Sequence, residues 1–92
     1  MIEVRDNPQL SRYELRADGE LVGFANYTRH GDVVTFVHTE IDEQHEGHGY
    51  AGKLVAAALD DVRSRGLTVI AQCPYVSRYI REHDEYADLL TV

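Results

Sequence analysis

Apolar and polar residues along the chain change their spacing once, just after Ile41, and that change divides the fold. From Arg12 to Ile41, residues of the Val, Phe, Tyr and Thr type gather in the runs Tyr13–Ala17, Leu21–Thr28 and Val33–Ile41, with turn-forming residues between them. Runs of this kind predict β-strands. Asp18-Gly19 is a pair that readily takes the positive φ angles of a two-residue hairpin, and His30-Gly31-Asp32 predicts a second turn with one more residue. The expected first part is therefore an antiparallel meander of these three runs.

Beyond Ile41 the spacing turns helical. Leu54, Val55, Ala58, Leu59 and Val62 recur at three- to four-residue intervals, which predicts a helix with one buried face, running to about Arg65 and closed by Gly66 as a left-handed cap. Leu67–Gln72 predicts a short apolar strand, and Pro74 opens a second helix on which Val76, Tyr79, Ile80 and His83 share a face. Passage from Val33–Ile41 through a helix to Leu67–Gln72 predicts a right-handed crossover between parallel strands. The expected class is α+β in the order β-β-β-α-β-α, with the tail Tyr86-Ala87-Asp88-Leu89-Leu90 docked against the body.

Composition then narrows the function. At 92 residues the chain forms one domain, residues 1–92, because so short a chain buries only about 60–65% of its unfolded surface and cannot support two cores. Sixteen acidic against nine basic side chains give a net charge of −7, which opposes nonspecific attraction to nucleic acid or anionic lipid. A basic or neutral partner fits better. Cys73 is the sole cysteine, so no internal disulfide and no thiolate cluster for zinc is expected, and a reducing cytoplasm is the natural compartment. No leader-like segment is evident, and the most apolar stretch, Leu54 to Leu59, is too short to cross a membrane. His30, His45, His48 and His83 have neither i, i+4 helical spacing nor neighbouring cysteines, so no metal site is expected.

The most informative segment lies between the meander and the first helix: Asp42-Glu43-Gln44-His45-Glu46-Gly47-His48-Gly49-Tyr50-Ala51-Gly52. A polar loop with three glycines at a helix start offers bare backbone N–H groups and the positive end of the helix dipole to an anion, and a diphosphate is the expected guest. No Lys-Ser/Thr follows the last glycine, so the loop is not of the Walker A type; Gly47, Gly49 and Gly52 have the Gly-x-Gly-x-x-Gly spacing of a dinucleotide fingerprint but follow an antiparallel meander, not the opening strand of a parallel βαβ unit. Both nucleotide classes lose ground.

His38-Thr39-Glu40-Ile41, then Glu46-Gly47-His48-Gly49-Tyr50-Ala51, then Cys73-Pro74-Tyr75-Val76 with Tyr79-Ile80, closing on His83-Asp84-Glu85-Tyr86-Ala87-Asp88-Leu89, occur in an order that resembles the short, single-domain branch of the GNAT acetyltransferase superfamily. The resemblance implies acetyl-CoA as co-substrate, with its diphosphate on Gly47 to Gly52 and its pantetheine arm between splayed strands Val33–Ile41 and Leu67–Gln72. Cofactor contacts are implied at Thr39, Ile41, Glu46, Gly47, His48, Gly49, Tyr50, Ala51, Gly52, Cys73 and Tyr75. Two departures stand out. Glu46 occupies a position that is Gln or Arg in the wider superfamily, so its carboxylate caps the helix or turns outward. The chain also has little room for the extra helices and strands that build an acceptor pocket in longer members, so an open acceptor site is expected, suited to a protein or peptide amine or completed by a partner.

Acetyl transfer to an amine needs a base for the ammonium proton, a donor for the oxyanion and a proton for the leaving thiolate. His38 and Glu40 alternate on one face of their strand just before the loop; Glu40 is the first candidate base and His38 the second. Tyr75 and Tyr79, four residues apart, share a helix face where a phenol can protonate the thiolate or simply pack the helix onto the sheet, and the resemblance implies Tyr79 as the catalytic one. Cys73 lies in the N-cap region of that helix, where the dipole favours a thiolate and an acetyl-cysteine route, though a lone cysteine also serves as a small buried hydrophobe. The leading function is an N-acetyltransferase; the alternative is a CoA-binding module without turnover.

Overall fold

The computed structural model describes residues 1–91. It contains strands β1 (Ile2–Asn7), β2 (Arg12–Ala17), β3 (Glu20–His30) and β4 (Val33–Ile41), helix α1 (Tyr50–Ser64), strand β5 (Thr68–Ala71) and helix α2 (Pro74–Glu82). Short 3-10 segments, Glu43–His45 and Asp84–Leu89, precede α1 and follow α2. The sheet order is β1-β2-β3-β4-β5, antiparallel throughout except for the parallel β4–β5 pair.

The α+β class, the meander and the crossover agree with the sequence pattern, and one strand was missing from it. Ile2 and Val4 alternate with Glu3 and Arg5, a period-2 signal that is short and only half buried, and it forms β1 against β2. The order is thus β-β-β-β-α-β-α. Asp18 and Gly19 both adopt positive φ, as a tight hairpin between right-twisted strands requires. The second turn is shorter than expected, because His30 pairs with Val33 and leaves only Gly31 and Asp32 between the strands.

Helix α1 buries Leu54, Val55, Ala58, Leu59 and Val62, the face its periodicity marks. At its end the Leu67 N–H donates to Val62 O (3.1 Å) and the Gly66 N–H to Arg63 O (3.0 Å), with Gly66 at φ 72°. This double closure needs a left-handed residue, which glycine supplies without a Cβ penalty. The helices contribute to one core with Tyr13, Leu15, Val22, Ala25, Val34 and Phe36 of the sheet. Each buried aliphatic or aromatic side chain there contributes about 1.5–3 kcal/mol. The tail docks as expected: Tyr86 and Leu89 are buried, Tyr86 Oη donates to Asp60 Oδ1 at 2.9 Å, and Arg63 grips both oxygens of Asp88 at 2.8 and 2.9 Å.

The feature that positions the site is a β-bulge. Asn26 pairs with His38 and the next residue, Tyr27, pairs with Phe36, so Val37 has no partner of its own on β3. Without that extra residue the inward series Val34, Phe36 would continue to His38 and Glu40. With it, Thr39 and Ile41 take the helix-facing side and His38 and Glu40 point to the open face of the sheet.

Candidate active site

Strands β4 and β5 pair only from Val33–Thr68 to Phe36–Ala71. The pairing ends where Phe36 O accepts two N–H groups, from Gln72 (3.0 Å) and Cys73 (2.8 Å), after which Pro74 starts α2. Proline cannot continue a ladder, and its fixed φ suits the first turn of a helix. The chain therefore turns away from β4, and Val37 to Ile41 have no strand on that side. Thr39 Oγ1 and Cys73 Sγ meet across the opening at 3.5 Å.

The loop beyond Ile41 is shaped by local hydrogen bonds. Asp42 Oδ1 accepts the Gln44 N–H at 3.1 Å, which starts the 3-10 turn, and the Glu46 N–H closes it on Glu43 O at 3.3 Å. Gly47 (φ 85°) and Gly49 (φ 74°) then take left-handed conformations, and α1 begins at Tyr50 with no side-chain cap. The backbone N–H groups of residues 47–52 donate to no described residue. Unsatisfied amides at a helix start are the arrangement that receives phosphate. A cleft of about 330 Å³ opens over them, lined by Thr39, Ile41, His45, Glu46, Gly47, Gly49, Tyr50, Ala51, Gly52 and Tyr75.

Most residues singled out by the sequence meet around this cleft. Cys73, 3% exposed, stays out of the cleft lining and touches it only through Thr39, whose Oγ1 lies 3.5 Å from its sulfur. Gly52 lies beside both tyrosines: a methyl group there would stand 3.7 Å from Tyr75 Oη and 3.7 Å from Tyr79 Cε2. Glu46 makes no cap bond to α1; it is exposed and lines the cleft. His48 is exposed, stacks on Tyr50 at 5.3 Å and stays out of the cleft lining. Tyr79 also stays out of it; its ring stacks on His83 at 3.8 Å and lies 6.4 Å from Tyr75. Burial, then the Glu85 carboxylate and the Tyr75 phenol, push the Tyr79 phenol above its ordinary pKa and keep it protonated. His38 and Glu40 form a pair on the open face, Nε2 to Oε1 3.2 Å, both more than half exposed.

His45 was not anticipated. It lines the cleft with its ring 6.3 Å from Tyr50, its Nε2 lies 3.4 Å from Glu20 Oε2, and its Nδ1 is buried without a partner. Its position within the polar loop was the available signal, but screening histidines for metal spacing cannot detect one that serves as a wall. Among the described residues no group of three or more His, Cys, Asp or Glu is arranged to hold a metal ion. No helix among them is long and apolar enough to cross a membrane.

The family model described as GCN5-related N-acetyl-transferase matches residues 12–89, from β2 through the docked tail. The chain belongs to that family of N-acetyltransferases. No curated protein matches it. A GCN5-like protein from Staphylococcus aureus, solved by NMR, is similar in structure with a TM-score of 0.72 and 19% identity, over 97% of this chain and 87% of that one. The ribosomal-protein-S18-alanine N-acetyltransferase of Escherichia coli has a TM-score of 0.61 and 20% identity, over 65% of this chain and 39% of its own. An N-acetylglutamate synthase from Neisseria gonorrhoeae, solved with coenzyme A and N-acetyl-glutamate, has a TM-score of 0.61 and 19% identity, over 85% of this chain and 22% of its own. These likenesses establish the shared fold, and the chain spans well under half of the two longer enzymes.

Proposed function

We propose that this GCN5-related domain binds acetyl-CoA in the cleft and transfers its acetyl group directly to an amine that approaches from the open face of the sheet. The observation that carries this reading is the coincidence of two unfilled hydrogen-bonding surfaces: the amides of residues 47–52 and the β4 edge left bare beyond Phe36. The diphosphate accepts from the former and the pantetheine amides pair with the latter, between Ile41 and Tyr75. Thr39 and Cys73 bound the reacting end. Lys53, whose Nζ lies 6.0 Å from the Tyr50 ring, adds a positive charge at the first turn of α1.

The chemistry then divides between the two faces of β4. Glu40, supported by His38, takes one proton from the acceptor ammonium. The neutral nitrogen attacks the thioester carbon, a C–N bond forms, the C–S bond breaks, and the now cationic nitrogen gives up its second proton to solvent to leave the neutral amide. The thiolate takes a proton from the Tyr75 phenol, or from Tyr79 behind it, and the phenol recovers its proton from solvent. A backbone N–H of the bare β4 edge stabilises the oxyanion meanwhile.

A second reading, transfer through acetyl-Cys73, is favoured by the position of its sulfur at the inner end of the gap. In that route the Cys73 thiolate displaces CoA thiolate, and the amine then displaces Cys73. A third, cofactor binding without turnover, draws on the shallow acceptor side.

Calorimetry with CoA, followed by thiol release from acetyl-CoA across a panel of amines and basic peptides, separates these. Saturable binding with turnover is expected. Glu40→Gln is expected to lower kcat by about 10²-fold or more with CoA affinity unchanged, the usual magnitude for losing a general base. Absence of CoA binding removes the whole reading; binding without thiol release leaves only the non-catalytic one. Cys73→Ala at full rate, with no acetyl adduct on the parent protein by mass spectrometry, removes the covalent route.

A further inference from the structure

Resting on that acetyl-transfer reading, we propose that the acceptor is a primary amine bearing a second alkylammonium group, held in the groove that Phe24, Glu40 and Asp42 form on the open face of the sheet. The bulge at Val37 turns Glu40 to that face, directly across the ladder from Phe24. Between them and the start of β3 is a groove of about 170 Å³, with Asp42 also in its lining. Drug-sized ligands occupy roughly 300–1,000 Å³. A single alkyl arm is what this one admits.

Its charge is uncompensated, and a neighbour on the same face shows the contrast. Glu14 is also a carboxylate on the open side of the sheet, yet Arg12 (2.8 Å), Arg16 (3.6 Å) and the Asn7 amide (3.3 Å) clamp it. Among the described residues no arginine or lysine pairs with Glu40 or Asp42. Asp42 spends one oxygen on the Gln44 N–H and Glu40 one on His38, which leaves one oxygen of each without a partner. The free oxygen of Glu40 receives the reacting ammonium, and that of Asp42, in the same groove as the Phe24 ring, matches a second cation on an apolar stem. Phe24 already receives a cation on one side, the Arg12 guanidinium 4.7 Å from its centroid.

The spacing agrees with a two-ended substrate. Glu40 and Asp42 stand two residues apart on one face, roughly 6–7 Å along an extended chain. An alkyl spacer of about four or five carbons covers that distance at ordinary bond lengths. A free diamine and a lysine side chain near a peptide's N-terminal amine both present this chemistry.

The test compares thiol release from acetyl-CoA with n-butylamine, with 1,4-diaminobutane and 1,5-diaminopentane, and with short peptides carrying lysine or acetyl-lysine beside a free N-terminus. The full chain is expected to use a charged-arm acceptor at least tenfold better in kcat/KM than its uncharged counterpart, and the better of the diamine and lysine arms identifies the source. Asp42→Asn keeps the bond to Gln44 while removing the charge, and Phe24→Leu keeps an apolar wall while removing the ring. Each is expected to bring the preference to within about threefold. Equal use of the paired acceptors by the parent protein, or a preference that both variants retain, overturns the proposal. Binding is also read without turnover, as a shift of the Phe24 ring resonances when 1,4-diaminobutane is added to the CoA-loaded protein. No thiol release with any amine sinks the catalytic reading instead, and an unmoved Phe24 signal then sinks this one independently.

Discussion

Gly23 and Ile41 occupy a space that admits no further methyl group. A Cβ on Gly23 would stand 2.4 Å from Ile41 Cδ1 and 2.9 Å from Glu40 O, and the second contact is backbone, which cannot rotate away. Gly23→Ala must therefore push the end of β4 outward, and that end carries both a cleft wall and the candidate base. Overpacking of this kind costs about 1–3 kcal/mol. The expected outcome is a lower midpoint in urea together with weaker CoA binding by calorimetry; a variant with full stability and affinity would show that β4 yields freely. Gly23 looked like an ordinary strand residue in the sequence, because the contacts that require it come from residues seventeen and eighteen positions away on the neighbouring strand.

Two glycines flanking α1 carry the same backbone demand for different reasons. Gly49 at its start and Gly66 past its end have φ of 74° and 72°, and neither would bring a Cβ within 4 Å of another atom. Alanine at either position is thus strained by conformation alone, about 1 kcal/mol. Both substitutions are expected to lower stability by that similar amount. Only Gly49→Ala is expected to weaken CoA binding, since its strain is relieved by tilting the amides of residues 47–52, whereas Gly66 terminates the helix some 15 residues away. Thermal denaturation and calorimetry on the pair distinguish the two effects, and equal losses of affinity would argue against the loop as the phosphate cradle. The loop and both helices were legible from local spacing. The first strand was overlooked because its alternation is brief and both its apolar residues are only half buried.

Three tyrosines hold the layers together through carboxylates. Tyr13 Oη donates to Asp61 at 2.6 Å, Tyr27 Oη to Asp6 at 2.6 Å and Tyr86 Oη to Asp60 at 2.9 Å, joining β2 to α1, β3 to β1 and the tail to α1. Burial first, and then the accepting carboxylate, push the phenols up, Tyr27 and Tyr86 to about 12 and Tyr13 further. A group whose folded pKa lies above its unfolded value adds stability that is complete below the unfolded value and lost as pH rises through the folded one. The protein is therefore expected to hold its melting temperature up to about pH 10, the ordinary phenol value, and lose it between about 10 and 12. Tyr27→Phe is expected to lower stability at pH 8 and make that alkaline decline shallower, read by circular dichroism melts across the range. An unchanged slope would mean that the phenols do not govern it.

Periodicity, turn pairs and cap residues are short-range instructions, and from them the strands after Arg12, both helices, the glycine loop and the docked tail could be read without coordinates. The family followed from separated motifs in their order along the chain. The face on which each β4 side chain stands could not be read that way, because it depends on a single unpaired residue, Val37, whose existence is a matter of register between two strands. Alternation counted from Val34 and Phe36 sends His38 and Glu40 into the core; the bulge sends them out, next to Phe24, and gives the cleft to Thr39 and Ile41. The opening between β4 and β5 is likewise a property of pairing: it exists because Phe36 O takes the last two hydrogen bonds and Pro74 carries the chain away. Register and divergence are long-range relations between backbones, and no local pattern of residue types encodes them.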